Sequence, residues 1–160
     1  MIPQTKNGIK IGNTVKDIIT GQEGIVTALH MYTTGTEWVS CVIPGLDENS
    51  NPKGEFASES QQIELVSNEE FFGKIEFKTQ FNFGDIVKET DSNRKGIVHS
   101  MAFFIHGCVR YSVKISGVYD NDGKQVFESY DPIYLELVTP TKPLKSKPTG
   151  GGPEKLSSSR

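Results

Sequence analysis

The chain has no long apolar run and few residues of the types that carry covalent or metal chemistry. Its 160 residues include 2 cysteines, 1 tryptophan and 3 histidines. No stretch approaches the roughly 20 apolar residues that span a bilayer, and the first residues lack the charged-then-apolar layout of a secretory signal. Two cysteines cannot form a disulfide framework. We therefore expect no membrane span, no signal-peptide secretion, and cysteines that act as small apolar strand residues.

Acidic charge is concentrated in the body of the chain, although the net charge is only −3. Residues 139–160 hold five basic residues and one acidic residue, which leaves residues 1–138 with 12 basic and 19 acidic residues, a net charge of −7. The 139–160 segment is also rich in proline, glycine and serine and poor in apolar side chains. Because it cannot bury enough surface to offset its ordering entropy, we predict a disordered basic tail.

An internal repeat sets the predicted architecture. When the chain is compared with itself at an offset of 72, residues 9–66 align with 81–138 without a gap, and fourteen of the 58 pairs are identical. The longest shared segments are Gly-Ile-Val at 24–26 and 96–98, and Glu-Leu-Val at 64–66 and 136–138. An ungapped register of this length predicts two copies of one small domain.

Each copy has the hydrophobic period of strands. Alternating or short apolar runs separated by glycine, asparagine and aspartate turns predict five strands per copy, and neither copy has a helical pattern. We predict an all-β protein of two tandem small five-stranded barrels, at 9–66 and 81–138. Residues 1–8 would be an N-terminal extension, and residues 67–80 a connecting segment that is partly strand. Gly24 and Gly96 follow polar turns, where a positive φ or a bulge is expected.

Two resemblances refine this prediction. The segments GNTVKDIITGQEGIV and GDIVKETDSNRKGIV resemble the opening of Src-homology-3-like barrels of the KOW and Tudor type. The second copy, GDIVKETDSNRKGIVHSMAFFIHGCVRYSVKI with a DNDGK turn and a closing YDPIYLELV, resembles small phage-encoded proteins of unassigned role. The resemblance implies a phage protein that acts in the bacterial host cytoplasm or in the virion.

Catalytic and metal chemistry find little support in the sequence. His99, His106 and Cys108 lie close together, yet a structural zinc site normally takes four ligands. A cysteine–histidine pair is the minimum for an activated thiolate, but no third group orients it and no phosphate-binding glycine loop is present. We predict no enzyme activity, no catalytic residues, no metal site and no cofactor.

Aromatic and arginine side chains are the better candidates for a binding surface. Tyr32 aligns with Phe104 just before the hairpin glycine, and Trp38 aligns with Arg110 on the next strand. Tryptophan, tyrosine and arginine dominate binding hot spots. Arg94 and Lys95, in the turn before Gly-Ile-Val of the second copy, form a local basic patch. The candidate binding residues are Tyr32, Trp38, Arg94, Lys95, Phe104 and Arg110.

Two functional hypotheses follow. The first is a non-enzymatic binding module, a phage accessory or virion structural protein whose barrels contact protein partners, either copies of itself or a phage assembly. The alternative is a regulator or host-defence inhibitor that binds nucleic acid or a nucleotide-like small ligand. Both copies are acidic, with 3 basic against 8 acidic residues in the first and 6 against 8 in the second. That balance disfavours a long phosphate backbone.

Overall fold

The computed structural model describes residues 2–69 and 71–141, and these form an all-β fold with two short 3-10 turns, Ser60–Gln62 and Pro132–Tyr134. Most of the predicted tail, residues 142–160, lies outside the described residues. The ten strands are β1 (Thr14–Asp17), β2 (Glu23–Tyr32), β3 (Glu37–Val42), β4 (Glu55–Glu59), β5 (Ile63–Ser67), β6 (Ile86–Glu89), β7 (Lys95–Phe104), β8 (Val109–Tyr119), β9 (Gln125–Tyr130) and β10 (Leu135–Thr139).

The two halves of the fold repeat one another. The first strands of the halves begin at Thr14 and Ile86, and the last strands begin at Ile63 and Leu135, so both pairs differ by 72 positions. Each half has the same antiparallel order, β5-β1-β2-β3-β4 in the first and β10-β6-β7-β8-β9 in the second. The five strands predicted for each copy are therefore present.

Pairing of β2 with β7 joins the halves into one ten-stranded sheet that curls into a half-barrel. Ala28 faces Phe104, His30 faces Ala102, and Tyr32 faces Ser100. Since His30 and Ala102 are themselves 72 positions apart, this antiparallel ladder has a pseudo-two-fold axis at that pair. The contact is of the isologous kind that closes symmetric dimers, here formed within one chain.

β2 and β7 each contain a β-bulge, and the two bulges lie at equivalent positions of the repeat. The register of β2 against β3 shifts at Thr27, and that of β7 against β8 shifts at His99. The backbone carbonyl groups of these two bulged residues accept hydrogen bonds across the seam, Thr27 from the N–H of Ile105 and His99 from the N–H of Thr33, both at 2.9 Å. A bulged residue has no partner in the ladder within its own half. The carbonyl groups of Thr27 and His99 are therefore available to accept hydrogen bonds from the other half.

The sheet has one buried and one open face. Alternate residues of the central strands enter a single apolar core, which runs beneath both halves and includes Val26, Leu29, Val39, Cys41, Val98, Met101, Phe103, Val109, Tyr111 and Val113. On the opposite face most residues of the same strands are partly or fully exposed, although Ala28 and Ser100 are buried. The strand alternation predicted from sequence thus separates the core from a candidate interaction surface.

The connecting segment is extended but forms no strand, contrary to the prediction for residues 67–80. Between Ser67 and Ile86 the described residues contain no strand, and the alternating aromatics are buried without a backbone ladder. Phe77 packs edge-on against Phe103, and Phe81 packs against Tyr111. The Tyr111 hydroxyl accepts a hydrogen bond from the backbone N–H of Gln80 at 2.8 Å. The alternating aromatic residues in this segment are buried over the core of the second half. An extended segment can bury alternate side chains in this way without hydrogen bonding to a neighbouring strand.

The shared glycines at 24 and 96 also differ from expectation. Neither has a positive φ, whereas the hairpin glycines Gly35 and Gly107 do, at 83° and 80°. A Cβ at Gly96 would lie 2.5 Å from the carbonyl oxygen of Lys114, and one at Gly24 would lie 2.9 Å from that of Val42. Glycine is required there because neighbouring strands approach closely.

Buried carboxylates fasten equivalent turns in the two halves. Asp17 accepts hydrogen bonds from the Ser58 hydroxyl and from two backbone N–H groups, which lower its pKa. Glu89 in the second half accepts bonds from the hydroxyl and N–H of Ser92 and from the N–H of Asp91, and its pKa is lowered likewise. Both acids stabilise the reversal between the first two strands of their half.

Candidate functional site

The open face of the central sheet collects polar and aromatic side chains from both halves. On β3, Val39 and Cys41 point into the core, so Trp38 and Ser40 lie on the other side. Strand pairing then places one row of residues across the sheet, through the pseudo-two-fold axis, in the order Glu59, Trp38, His30, Ala102 and Arg110. An ion pair with Arg110 extends this row to Asp131. We call this surface the open face.

Two of the chain's three histidines make aromatic contacts on the open face, and the third stacks at its edge. His30 meets the edge of Phe104 with ring centroids 6.0 Å apart, and its Nε2 lies 3.2 Å from the Ser40 hydroxyl. His99 packs against Phe127 at 4.8 Å. His106 stacks parallel to Phe104 at 6.2 Å. Burial lowers the pKa of His30, which favours the neutral imidazole.

A mostly apolar hollow of about 560 Å³ lies between the first half and residues 104–106 of the second. Val42, Phe72, Phe104 and Ile105 supply its apolar surface, and the exposed Glu55 lies at its rim. Phe72, from the segment after β5, is partly buried and packs against the core, whereas its neighbour Phe71 is 68% exposed. The hollow has the size and apolar character typical of a ligand or anchor-residue pocket.

A smaller hollow of about 240 Å³ has a different lining, which comes mostly from the second half and includes His30 and Tyr32 of the first. Ala102, the smallest side chain of the row, lies between His30 on one side and Arg110 on the other. The remaining walls come from hydroxyl groups and two aromatic rings, those of Ser100, Ser112, Ser129, Tyr32 and Phe104. We call this space the Ala102 hollow.

Both predicted arginines are held by carboxylates. Arg110 donates from Nε to Asp131 Oδ1 at 3.1 Å. Arg94 donates from both terminal nitrogens to Glu128, at 2.8 and 2.7 Å, in a bidentate pair. Each carboxylate raises the pKa of its arginine further. The positive charges are thus largely neutralised locally, which weakens both as sites for phosphate.

Three of the six candidate binding residues come together, and a fourth lies beside them. Tyr32, Phe104 and Arg110 line the Ala102 hollow, and Trp38 adjoins it across His30. Arg94 lies away from this group, in its pair with Glu128, and Lys95 is exposed at the start of β7. No candidate aromatic belongs to the core.

Sequence reasoning missed the residues that shape the open face between those aromatics. His30 and Ala102 form the centre of the face, and the serines at 100, 112 and 129 form a row beside it. Part of this surface could have been found from the sequence of β8, because Arg110, Ser112 and Lys114 alternate there with buried residues. Only the register of β2 on β7 brings these residues together.

The groups considered for catalysis do not form a reactive site. Cys41 is buried in the core, and burial raises its pKa to about 12. Cys108 is exposed in the turn before β8, so it is not the buried strand residue that was expected. Within residues 2–69 and 71–141, no three histidine, cysteine or acidic side chains are grouped as metal ligands.

Comparisons with protein families, curated proteins and solved structures found no match. Of the residues that the structure describes, none belongs to a helix with the length and apolar character to cross a bilayer. The open face therefore has to be interpreted from its own geometry.

Proposed function

We propose that the chain is a non-enzymatic binding module that contacts a protein partner through its open face. In this proposal each half is an open Src-homology-3-like barrel, and the protein serves a phage as an accessory or structural component. The strand order of each half and the resemblance of the second copy support these two points. The observation that carries the proposal is the gathering of Trp38, Tyr32, Phe104 and Arg110, from both halves, on one solvent-facing surface.

The lining of the larger hollow indicates the chemistry of the partner. An apolar side chain would fill the space between Phe72 and Phe104, and a neighbouring basic residue would meet Glu55 at the rim. Trp38, 37% exposed beside Glu59, adds an aromatic face that attracts cations. The partner segment therefore combines apolar and basic residues. A second copy of this chain offers one, since Leu144 stands between Lys142 and Lys145 in the sequence.

The alternative of a nucleic-acid or nucleotide ligand has less support. Phosphate would have to compete with Asp131 for Arg110 and with Glu128 for Arg94, and two further carboxylates, Glu55 and Glu59, lie on the first half of the face. Binding of a polyanion gains most of its strength from unpaired basic groups. The open face therefore suits a protein segment better than a phosphate chain.

Trp38, the sole tryptophan, allows a direct test. As the concentration of the full chain rises, we expect sedimentation to show dimers or larger species while the tryptophan emission shifts to shorter wavelength. Glu55→Lys removes one attraction and adds one repulsion, each worth up to about 1 kcal/mol, and should weaken association about tenfold.

A matched control separates this surface from a general charge effect. Glu69→Lys makes the same change in net charge at an exposed position after β5, and it should leave association unchanged. Equal weakening by both variants would assign the effect to net charge. A protein that stays monomeric at all concentrations and binds no phage structural protein would contradict the proposal.

A further inference from the structure

The pseudo-two-fold axis reveals a chemical difference between two equivalent positions. His30 in the first half and Ala102 in the second face one another in the ladder and are related by the internal repeat. A histidine at both positions would fill both sides of the row. The alanine instead leaves a hollow of about 240 Å³ between His30 and Arg110. We propose that the Ala102 hollow binds an uncharged polyhydroxylated ligand, one sugar ring of a saccharide. This ligand is distinct from the protein partner proposed above, although both would contact Tyr32, Phe104 and Arg110.

Hydroxyl groups form one complete side of this hollow. Tyr32, Ser100, Ser112 and Ser129 lie in register on four neighbouring strands, β2, β7, β8 and β9. Among the described residues, no hydrogen bond engages these four hydroxyls. Adjacent strands are about 4.8 Å apart, so the row presents closely spaced groups along one line. A hydroxyl both donates and accepts, and a ligand with several neighbouring hydroxyls is complementary to such a row.

The charge of the hollow argues against an ionic ligand. Arg110 is its one charged wall, and its Nε is bonded to Asp131 at 3.1 Å, which leaves its terminal nitrogens as donors while balancing its charge. His30 is held towards its neutral form by burial. An anion would find one partly neutralised cation, and a cation would find no carboxylate lining the hollow. A neutral ligand avoids the cost of desolvating an unpaired charge.

Size and aromatic surface complete the match. Phe104 and Tyr32 border the hollow at opposite ends and offer ring surfaces to the C–H groups of a sugar. Pockets for drug-sized ligands usually measure about 300–1,000 Å³, and this one is smaller. It therefore accommodates a single ring and not an extended ligand, and a longer saccharide would leave the hollow over the exposed edge of β9.

The test uses the full chain and methyl glycosides of glucose, galactose, mannose and N-acetylglucosamine as probes, with inorganic phosphate as the ionic comparison. Titration is followed by the NMR signals of the Ala102 methyl and the Ser112 amide. We expect saturable binding of at least one glycoside in the millimolar range. Ala102→His, which restores the residue of the first half, should abolish it, and Ser112→Ala with Ser129→Ala should weaken it about tenfold.

Ser116→Ala is the matched control, because it removes an exposed hydroxyl from the same strand outside the hollow, and it should bind as the parent does. Absence of binding by every glycoside, binding that survives Ala102→His, or a response to phosphate alone would each overturn the proposal. Sedimentation measures association of the chain, whereas the NMR titration measures glycoside binding, so either proposal can fail without the other.

Discussion

Replacement of Gly96 by alanine tests why the Gly-Ile-Val segment occurs twice. The new Cβ would lie 2.5 Å from both the carbonyl oxygen of Lys114 and Val113 Cγ1, where ordinary contacts begin at 3.4 Å. Because the obstacle is backbone of the paired strand, β7 and β8 must separate. Overpacking costs about 1–3 kcal/mol, and the upper end applies here because backbone atoms cannot rotate away, whereas alanine recovers about 0.5–1 kcal/mol through its lower chain entropy. We expect Gly96→Ala to lower the free energy of unfolding by about 2 kcal/mol.

Denaturant unfolding followed by circular dichroism measures this loss, and thermal scans should show a midpoint lower by about 4–8 °C. Gly24→Ala should cost less, about 1 kcal/mol. Its nearest obstacle, the ring edge of Phe56 at 2.8 Å, can shift, and the carbonyl oxygen of Val42 lies at 2.9 Å, farther than the 2.5 Å that separates a Gly96 Cβ from Lys114. Gly123→Ala, with a φ of 76° and open space, isolates the cost of a positive φ, about 1 kcal/mol. A Gly96→Ala protein within about 0.5 kcal/mol of the parent would refute the close-approach explanation.

Three further predictions concern the two buried carboxylates, the two cysteines and the Tyr111 hydroxyl. The pKa values of Asp17 and Glu89 are lowered in the fold from ordinary values of 3.8 and 4.5. Their stabilisation is therefore present above those values and is lost as pH falls through the lowered ones, and Glu89→Gln should flatten this acid dependence in pH-resolved denaturation. A thiol reagent at pH 8 should modify only Cys108 in the native protein, and should modify Cys41 as well after unfolding. Mass spectrometry counts the modified sites, and two in the native state would contradict the burial of Cys41. Tyr111→Phe leaves a backbone N–H of the connecting segment without its acceptor and should lower the free energy of unfolding by about 1–3 kcal/mol, whereas an unchanged value would mean that water replaces the hydroxyl.

Local pattern was sufficient for the strands and for their repetition. Period-two alternation in segments such as 109–115 reports which side chains are buried, and the 72-residue offset transfers that information from one half to the other. The same signal misled at 75–83, because alternation records burial and not hydrogen bonding to a neighbouring strand. It also could not show that Gly24 and Gly96 face the backbone of a paired strand, a contact between residues about 18 positions apart.

The composition of the open face could not be derived from local sequence pattern. The sequence by itself determined the strand-forming segments, the internal repeat, and a set of aromatic and arginine candidates, but not whether Tyr32 faces the core or the solvent. Only the ladder between β2 and β7 brought His30 opposite Ala102 and placed Tyr32 in line with the serines of the second half. The physical reason is that strand register is fixed by side-chain packing across both halves at once. No local sequence window contains that information.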